Sequence, residues 1–350
     1  MTDMPMTSEL AVSQPKTAHR AVVLWLFAVA GLIFLMVMVG GATRLTGSGL
    51  SMTDWRPVTG VLPPLNAEAW QAEFTKYQQS PEYQLVNAGM SLEEFKSIFY
   101  WEWGHRVLGR LIGLAYALPL LFFWIRGMVP AGYKPRLLLL LFLGGGQGLL
   151  GWYMVQSGLV DVPEVSHYRL VAHLSLALTL FSAVLWTGLD IQGHVKTAVS
   201  KQLRGAMLFA LILIVLQMVM GGLVAGLEAG WVANDWPTMA GQIIPDDIGA
   251  LNPWYVNPID NPVTAHFDHR IGAYLLFLVS LYLVWRSSSE SSQRARFLTR
   301  LVLAAVTTQA TLGIVTILLS VPVFWGTLHQ GGGVVVLASV LYMVHQTKRT

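Results

Sequence analysis

Four histidines, His105, His173, His269 and His329, each fall at the start of an apolar stretch long enough to cross a bilayer. Such a stretch needs about 20 mainly apolar residues. An imidazole is the usual axial ligand of a haem held inside a membrane. Ionisable groups there are costly and are functional candidates by default. All four sit at one depth, and their repetition is hard to attribute to packing. Within a four-helix unit, one histidine from each of two helices reaches an iron from opposite faces. That pairs His105 with His173 and His269 with His329, and points to two haems.

The elements that must carry these ligands are helices. The chain has 350 residues, 54% of them hydrophobic and only 12% charged, and its mean hydropathy is +0.54. A soluble domain carries roughly 25% charged residues. Spans are expected at about 21–42, 105–125, 137–157, 171–190, 206–226, 270–286, 301–321 and 329–346. The first apolar run is longer than the core of a signal peptide and is read as an uncleaved helix. Lys16, Arg20, Arg126, Lys134, Arg136, Lys196, Lys201, Arg204, Arg286, Arg294, Arg296, Arg300, Lys348 and Arg349 all fall on one side, whereas 227–265 has no Lys or Arg. The positive-inside rule then makes both termini cytoplasmic and turns the two long loops outward, in a multi-pass protein of the cell inner membrane. The net charge of +3 lies in loops and sets topology, so no nucleic-acid partner is expected. There is no cysteine, which excludes disulfides, thiolate metal sites and cysteine nucleophiles.

The chain repeats itself. MVMVGG at 36–41, with Asp54, Trp55 and Gly60, matches QMVMGG at 217–222, with Asp235, Trp236 and Gly241. His105-Arg106 matches His269-Arg270, Gln147-x-x-Leu150-Gly151 matches Gln309-x-x-Leu312-Gly313, and His173 matches His329. The expected fold is an all-α polytopic membrane protein whose eight transmembrane helices form two tandem four-helix bundles related by internal duplication. The divisions are a tail 1–20, a first unit 21–190 with a long loop 43–104, a linker 191–205, a second unit 206–346 and a tail 347–350.

Other residues have competing readings. Trp70, Phe74 and Tyr77 recur at helical spacing, which suggests an amphipathic helix at the membrane interface. Ser91 to Glu94 reads as a capping box opening a helix that runs into the second span. Asp54-Trp55 and Asp235-Trp236 read as turn caps and interfacial anchors. Gly144, Gly148, Gly151, Gly221 and Gly222 read first as close helix contacts and second as room for a flat macrocycle. Arg106 and Arg270 suit haem propionates or simple snorkelling. His167 and His266 lie near the site mouths as a gate, a proton carrier or inert residues, while His19, His194 and His345 fall on the cytoplasmic side. Glu102 shares a helix face with His105, and its match in the second half is His266. A carboxylate beside one pair only suggests one site of chemistry and one permanently held haem.

GGATRLTGSGLSMTDW (40–55), EWGHR (102–106), SHYRLVAHL (166–174), HFDHR (266–270) and TLHQ (327–330) resemble the heme A synthase family, over nearly the whole of 20–346. The cysteine pairs of some family members are missing, so the resemblance is to the cysteine-free branch. It implies oxidation of the C8 methyl of haem o to a formyl group, giving haem a for cytochrome oxidase assembly. It further implies that His269 and His329 ligate a resident haem b, that His105 and His173 face substrate haem o, and that Glu102 is the catalytic carboxylate. Besides membrane lipid, the implied partners are the farnesyltransferase that makes haem o, the oxidase itself, and an electron donor the residues do not identify. The alternatives are a di-haem b-type cytochrome transferring electrons from quinol, and a transporter without haem. The first usually sets its haems at different depths, unlike these histidines.

Overall fold

The computed structural model describes residues 16–56, 59–160 and 162–349, with side chains from residue 19 onward. The expected tail 1–20 lies outside the described residues as far as residue 15. The helices are α1 (Lys16–Leu45), α2 (Ala67–Tyr77), α3 (Pro81–Leu85), α4 (Leu92–Ile125), α5 (Lys134–Gln156), α6 (His167–Gln192), α7 (Lys201–Gly226), α8 (Asn257–Asp260), α9 (Pro262–Ser287), α10 (Gln293–Leu318) and α11 (Val323–Gln346). Eight of them, all but α2, α3 and α8, are long and apolar enough to cross a membrane. α1, α4, α5 and α6 pack as one ring, and α7, α9, α10 and α11 as another. The rings join where α1 and α7 each pack against both α6 and α11.

The spans run longer than hydropathy alone suggests. α4 begins at Leu92 because Ser91 and Glu94 complete a capping box, Ser91 N donating to Glu94 Oε2 at 2.8 Å and Glu94 N to Ser91 Oγ at 3.3 Å. α9 begins at Pro262, where the Asn261 side chain accepts from Val263 N and Thr264 N. The four histidines therefore lie inside helices rather than at their first residues. Polar residues that end a hydropathy window do not end a helix whose outer turns are covered by the loops.

The same covering changes the reading of α2. Trp70, Phe74 and Tyr77 turn inward onto Phe95 and Phe99 of α4 and form an aromatic cap together with Met52. Tyr77 and Phe95 stack with centroids 5.0 Å apart. The apolar face expected at a lipid interface is spent on the outward extension of α4 instead. On the opposite face of the molecule, Thr197–Val199 (β1) pairs in parallel with Thr347–Arg349 (β2). Arg204 donates to Val344 O at 2.6 Å and to Thr347 Oγ1 at 2.8 Å. The linker and the C-terminal end are thus tied together, a contact between distant residues that no local pattern signals.

The aromatic cap encloses Glu82. Tyr77 donates to Glu82 Oε2 at 3.0 Å, and Asn87 donates to the Tyr77 hydroxyl at 2.8 Å. Burial pushes the Glu82 carboxyl up from 4.5 to about 7, helped by the nearby Glu102 charge and opposed by the Tyr77 hydrogen bond. The folded protein holds this proton more tightly than the unfolded chain. Its contribution to stability is therefore full below about pH 4.5 and is lost as pH rises through about 7. Thermal unfolding of the solubilised protein is expected to show a higher midpoint at pH 5 than at pH 8. Glu82→Gln is expected to shrink that difference, and an unchanged difference would remove Glu82 as its source.

Candidate functional site

The histidine pairs sit inside the two rings, near the face that carries the long loops 46–91 and 227–261. In the second ring, His269 comes from α9 and His329 from α11. Their ring centroids are 6.3 Å apart and their planes stand at 87°. Each is seated against a glycine of the membrane-length helix that comes before its own. A Cβ added to Gly221 of α7 would lie 3.2 Å from His269 Cε1, and one on Gly313 of α10 would lie 2.7 Å from His329 Cε1. A glutamine one turn earlier on the same helix reaches each histidine. Gln217 Nε2 donates to His269 O at 2.8 Å and lies 3.0 Å from His269 Nδ1. Gln309 Nε2 donates to His329 O at 2.8 Å and lies 3.1 Å from His329 Nδ1.

The first ring repeats this only in part. His173 of α6 is seated against Gly151 of α5, and Gln147 Nε2 donates to His173 O at 3.0 Å and lies 3.4 Å from its Nε2. His105 of α4 is seated against Gly40 of α1, whose added Cβ would lie 3.0 Å from His105 Nε2. His105 and His173 are within electrostatic reach of one another. The place that Gln217 fills on α7 is held on α1 by Met36. Among the described residues no side chain hydrogen-bonds the His105 ring.

These seats fit a haem iron. Two imidazoles bound to one metal at about 2 Å each, with about 1 Å from nitrogen to ring centre, have centroids about 6 Å apart. His269 and His329 already stand at that separation. The Oε1 atoms of Gln147, Gln217 and Gln309 are buried without a hydrogen-bond partner. In the second ring the glutamine amides stand at the ring Nδ1, where the hydrogen-bonding partners of metal-bound histidines generally stand. Among the described residues, no cluster of three or more His, Cys, Asp or Glu suits a bare metal ion. The glycines divide accordingly: Gly40, Gly151, Gly221 and Gly313 make room for imidazoles, whereas Gly144 and Gly148 face open space.

Above each pair, an arginine holds down a long loop. Arg106 donates to Met52 O at 3.0 Å and to Asp54 O at 2.9 Å. Arg270 donates to Ala233 O at 3.4 Å and to Thr238 O at 2.7 Å. Met52 and Ala233 occupy matching places in the repeat, so the two arginines perform the same anchoring. The residue one turn before each arginine differs. Glu102, 3% exposed, pairs with Arg106 at 2.5 Å and accepts from Ser51 Oγ at 2.8 Å and Met52 N at 2.7 Å. At the matching place, His266 Nε2 accepts from Arg270 Nε at 3.2 Å. Glu102 is thus a buried, fully engaged carboxylate on a helix, not a solvated loop residue.

Asp54 and Asp235 also diverge. Lys76, then Arg56, hold the Asp54 carboxyl below the usual carboxylate range, which pins the loop to α2. Asp235 accepts from Thr238 Oγ1, Gly241 N and Ala240 N, which close a turn and hold its carboxyl at about 2. His167 Nε2 lies 2.9 Å from Asp260 Oδ1, and the Tyr168 hydroxyl donates to the same oxygen, joining α6 to α8 across the two halves. His345 on the opposite face is buried against Asp190 at 2.9 Å.

Sequence reasoning singled out Gln147 and Gln309 only as repeat markers and passed over Gln217 and Ser51. The signal for Gln217 was its alignment with Met36, the first letter of the matched motif. Removing the cation beside Glu102 leaves a buried charge unpaired, which costs about 3–5 kcal/mol. Arg106→Ala is therefore expected to lower the thermal midpoint markedly, and Glu102→Gln combined with it to restore part of the loss. A midpoint unmoved by Arg106→Ala would show that the pair does not hold the loop.

The chain matches the cytochrome oxidase assembly protein family (COX15-CtaA) over residues 23–341. It is 47% identical to a heme A synthase of Parvibaculum lavamentivorans over 337 residues, 96% of this chain and 97% of that one. It is 47% identical to a heme A synthase of Rhizobium meliloti over 317 residues, 89% and 86% of the two chains. A heme A synthase of Sinorhizobium fredii is 45% identical over 341 residues, 96% and 92% of the two chains. With paired histidines in a helical membrane scaffold and a match along most of its length, this chain belongs to the COX15-CtaA family of cytochrome oxidase assembly proteins.

Proposed function

We propose that this chain is a heme A synthase that oxidises the C8 methyl of haem o to a formyl group, yielding haem a for cytochrome oxidase. The observation that carries this reading is the unequal pair of sites: a buried carboxylate, Glu102, one turn from His105, against His266 at the matching place beside His269. His269 and His329 hold a resident haem b, which supplies one-electron redox chemistry when bound. His105 and His173 face the substrate. The first unit, 21–190, is then the working half and the second, 206–346, the resident half.

Turning a methyl into a formyl group removes four electrons and four protons and adds one oxygen atom when water supplies the oxygen, so the reaction needs an external electron acceptor, or dioxygen in the place of both. Glu102 Oε1 is paired with Arg106, and Oε2 accepts from Ser51 and Met52. A carboxylate fixed in this way holds negative charge beside the reacting edge without reorganising, and so favours a developing positive charge on the substrate. Arg106 and Arg270 keep the loops closed over the sites through carbonyl bonds. Their guanidinium groups would suit haem propionates, and the closed loops would exclude bulk water. Both termini are cytoplasmic, the loops face outward, and the protein lies in the cell inner membrane, between the farnesyltransferase that makes haem o and the oxidase that receives haem a.

Extraction of pigments from cells that make haem o and this protein is expected to yield haem a. Glu102→Ala is expected to lower haem a by about 100-fold or more, the scale for loss of a preorganised charge. Haem a at wild-type level in that variant would remove Glu102 from the chemistry. His269→Ala or His329→Ala is expected to abolish the Soret band of the resident haem. Loss of that band on His105→Ala or His173→Ala instead would reverse the two halves.

A further inference from the structure

Three of the four histidines share a lock that the fourth lacks. Gln147, Gln217 and Gln309 each stand one turn before the seating glycine of the same helix, in the order Gln147–Gly151, Gln217–Gly221 and Gln309–Gly313. Each donates to the backbone carbonyl of its histidine at 2.8–3.0 Å; Gln217 and Gln309 also lie against the ring Nδ1, whereas Gln147 lies 3.4 Å from His173 Nε2. In the second ring the lock is tighter, with amide-to-ring distances of 3.0 and 3.1 Å. There the amide oxygens also press on Gly272 of α9 and Gly332 of α11, each three residues after its histidine; an added Cβ at either would lie 2.2 Å from the oxygen. The first ring has Leu108 and Leu176 three residues after its histidines.

On α1 the order is Met36–Gly40. The seat for His105 is kept, while the hydrogen-bonding side chain is replaced by a thioether. The Met36 Cε packs toward Gly109 of α4, one turn beyond His105. A thioether donates no hydrogen bond and is at most a weak acceptor. The His105 ring is therefore placed by packing alone.

We infer that Met36 makes His105 the releasing ligand of the first site, and that the three glutamines are positioning residues that set how long each site keeps its haem. This inference rests on the reading of His105 and His173 as the substrate pair. A site that takes in a substrate and gives up a product of almost the same shape cannot hold it as a permanent group is held. Two locked histidines suit a haem that stays. One locked and one unlocked histidine suit a haem that is gripped from the His173 side and released from the His105 side. Hydrogen bonds to metal-bound histidines alter metal affinity by about 10–100-fold, enough to separate the two behaviours on one scaffold.

The test is the rate at which haem leaves the full-length protein in detergent. The protein is loaded with haem o, mixed with excess apomyoglobin, and followed by the Soret absorbance of each phase. Met36→Gln is expected to slow the fast phase, from the first site, by about 10-fold or more. Gln217→Met is expected to speed the slow phase, from the resident site, by a similar factor while leaving the fast phase unchanged. If the added amide of Met36→Gln prevents folding, Gln147→Met decides, with an expected acceleration of the fast phase. Haem o bound by the wild type but leaving at the same rate from Met36→Gln, or from Gln147→Met, would overturn the inference and leave the proposed function standing. A wild-type protein that binds no haem o in the first site would overturn both.

Discussion

An imidazole inside a helical bundle needs room, a partner and a fixed direction, and a low-dielectric interior gives none of these without cost. The seat that a neighbouring helix offers to each histidine is the constraint from which the rest of this structure follows. At all four places the room comes from a glycine, Gly40, Gly151, Gly221 or Gly313, on the membrane-length helix that comes before the histidine's own. In the second ring, imidazoles from opposite walls then face one another with their centroids 6.3 Å apart. This fixes the spacing of α7 against α9 and of α10 against α11. It also requires the adjacent turns to be small or flexible where the glutamines and methionines reach across.

The same requirement explains the long loops. A polar cavity near the membrane surface admits water unless it is covered, and the cover must itself be held down. Arg106 and Arg270 do this by donating to backbone carbonyls of loops that are otherwise mostly irregular. Such bonds depend little on the loop side chains, so the two loops have diverged in length and content while keeping one mode of attachment. Over the first ring the cover is reinforced by an aromatic cap on the outward turns of α4, and Glu102 is buried beneath it. Over the second ring, Asp235 closes a compact turn, and His266 stands where the first ring has Glu102.

The two rings share a skeleton and differ at few places. Glu102 against His266 alters the charge beside the pair. Met36 against Gln217 alters whether a ligand is locked. Leu108 and Leu176 against Gly272 and Gly332 alter how closely a glutamine nests. Each difference is one side chain deep, and each lies within a turn of a histidine. The two rings of four helices share one frame, and these differences leave that frame unchanged.

Much of this was legible from residues alone. Hydropathy located eight helices because a bilayer demands long apolar segments, and the repeat paired histidines because matching residues in a duplicated chain take matching places. Glu102 stood out because helical periodicity puts it on the face of His105. The Ser91–Glu94 capping box marked the outward extension of α4, but local patterns did not reveal that α9 runs beyond its apolar window, that Trp70, Phe74 and Tyr77 face α4 rather than lipid, or that β1 pairs with β2. Nor did they reveal that Arg106 and Arg270 hold loops, or that Gln217 locks His269. Spans, repeat and ligand types follow from spacing along one helix or strand of text. The partners of Glu102, the glycine seats and the glutamine locks join residues on different helices, so only the packed bundle decided them.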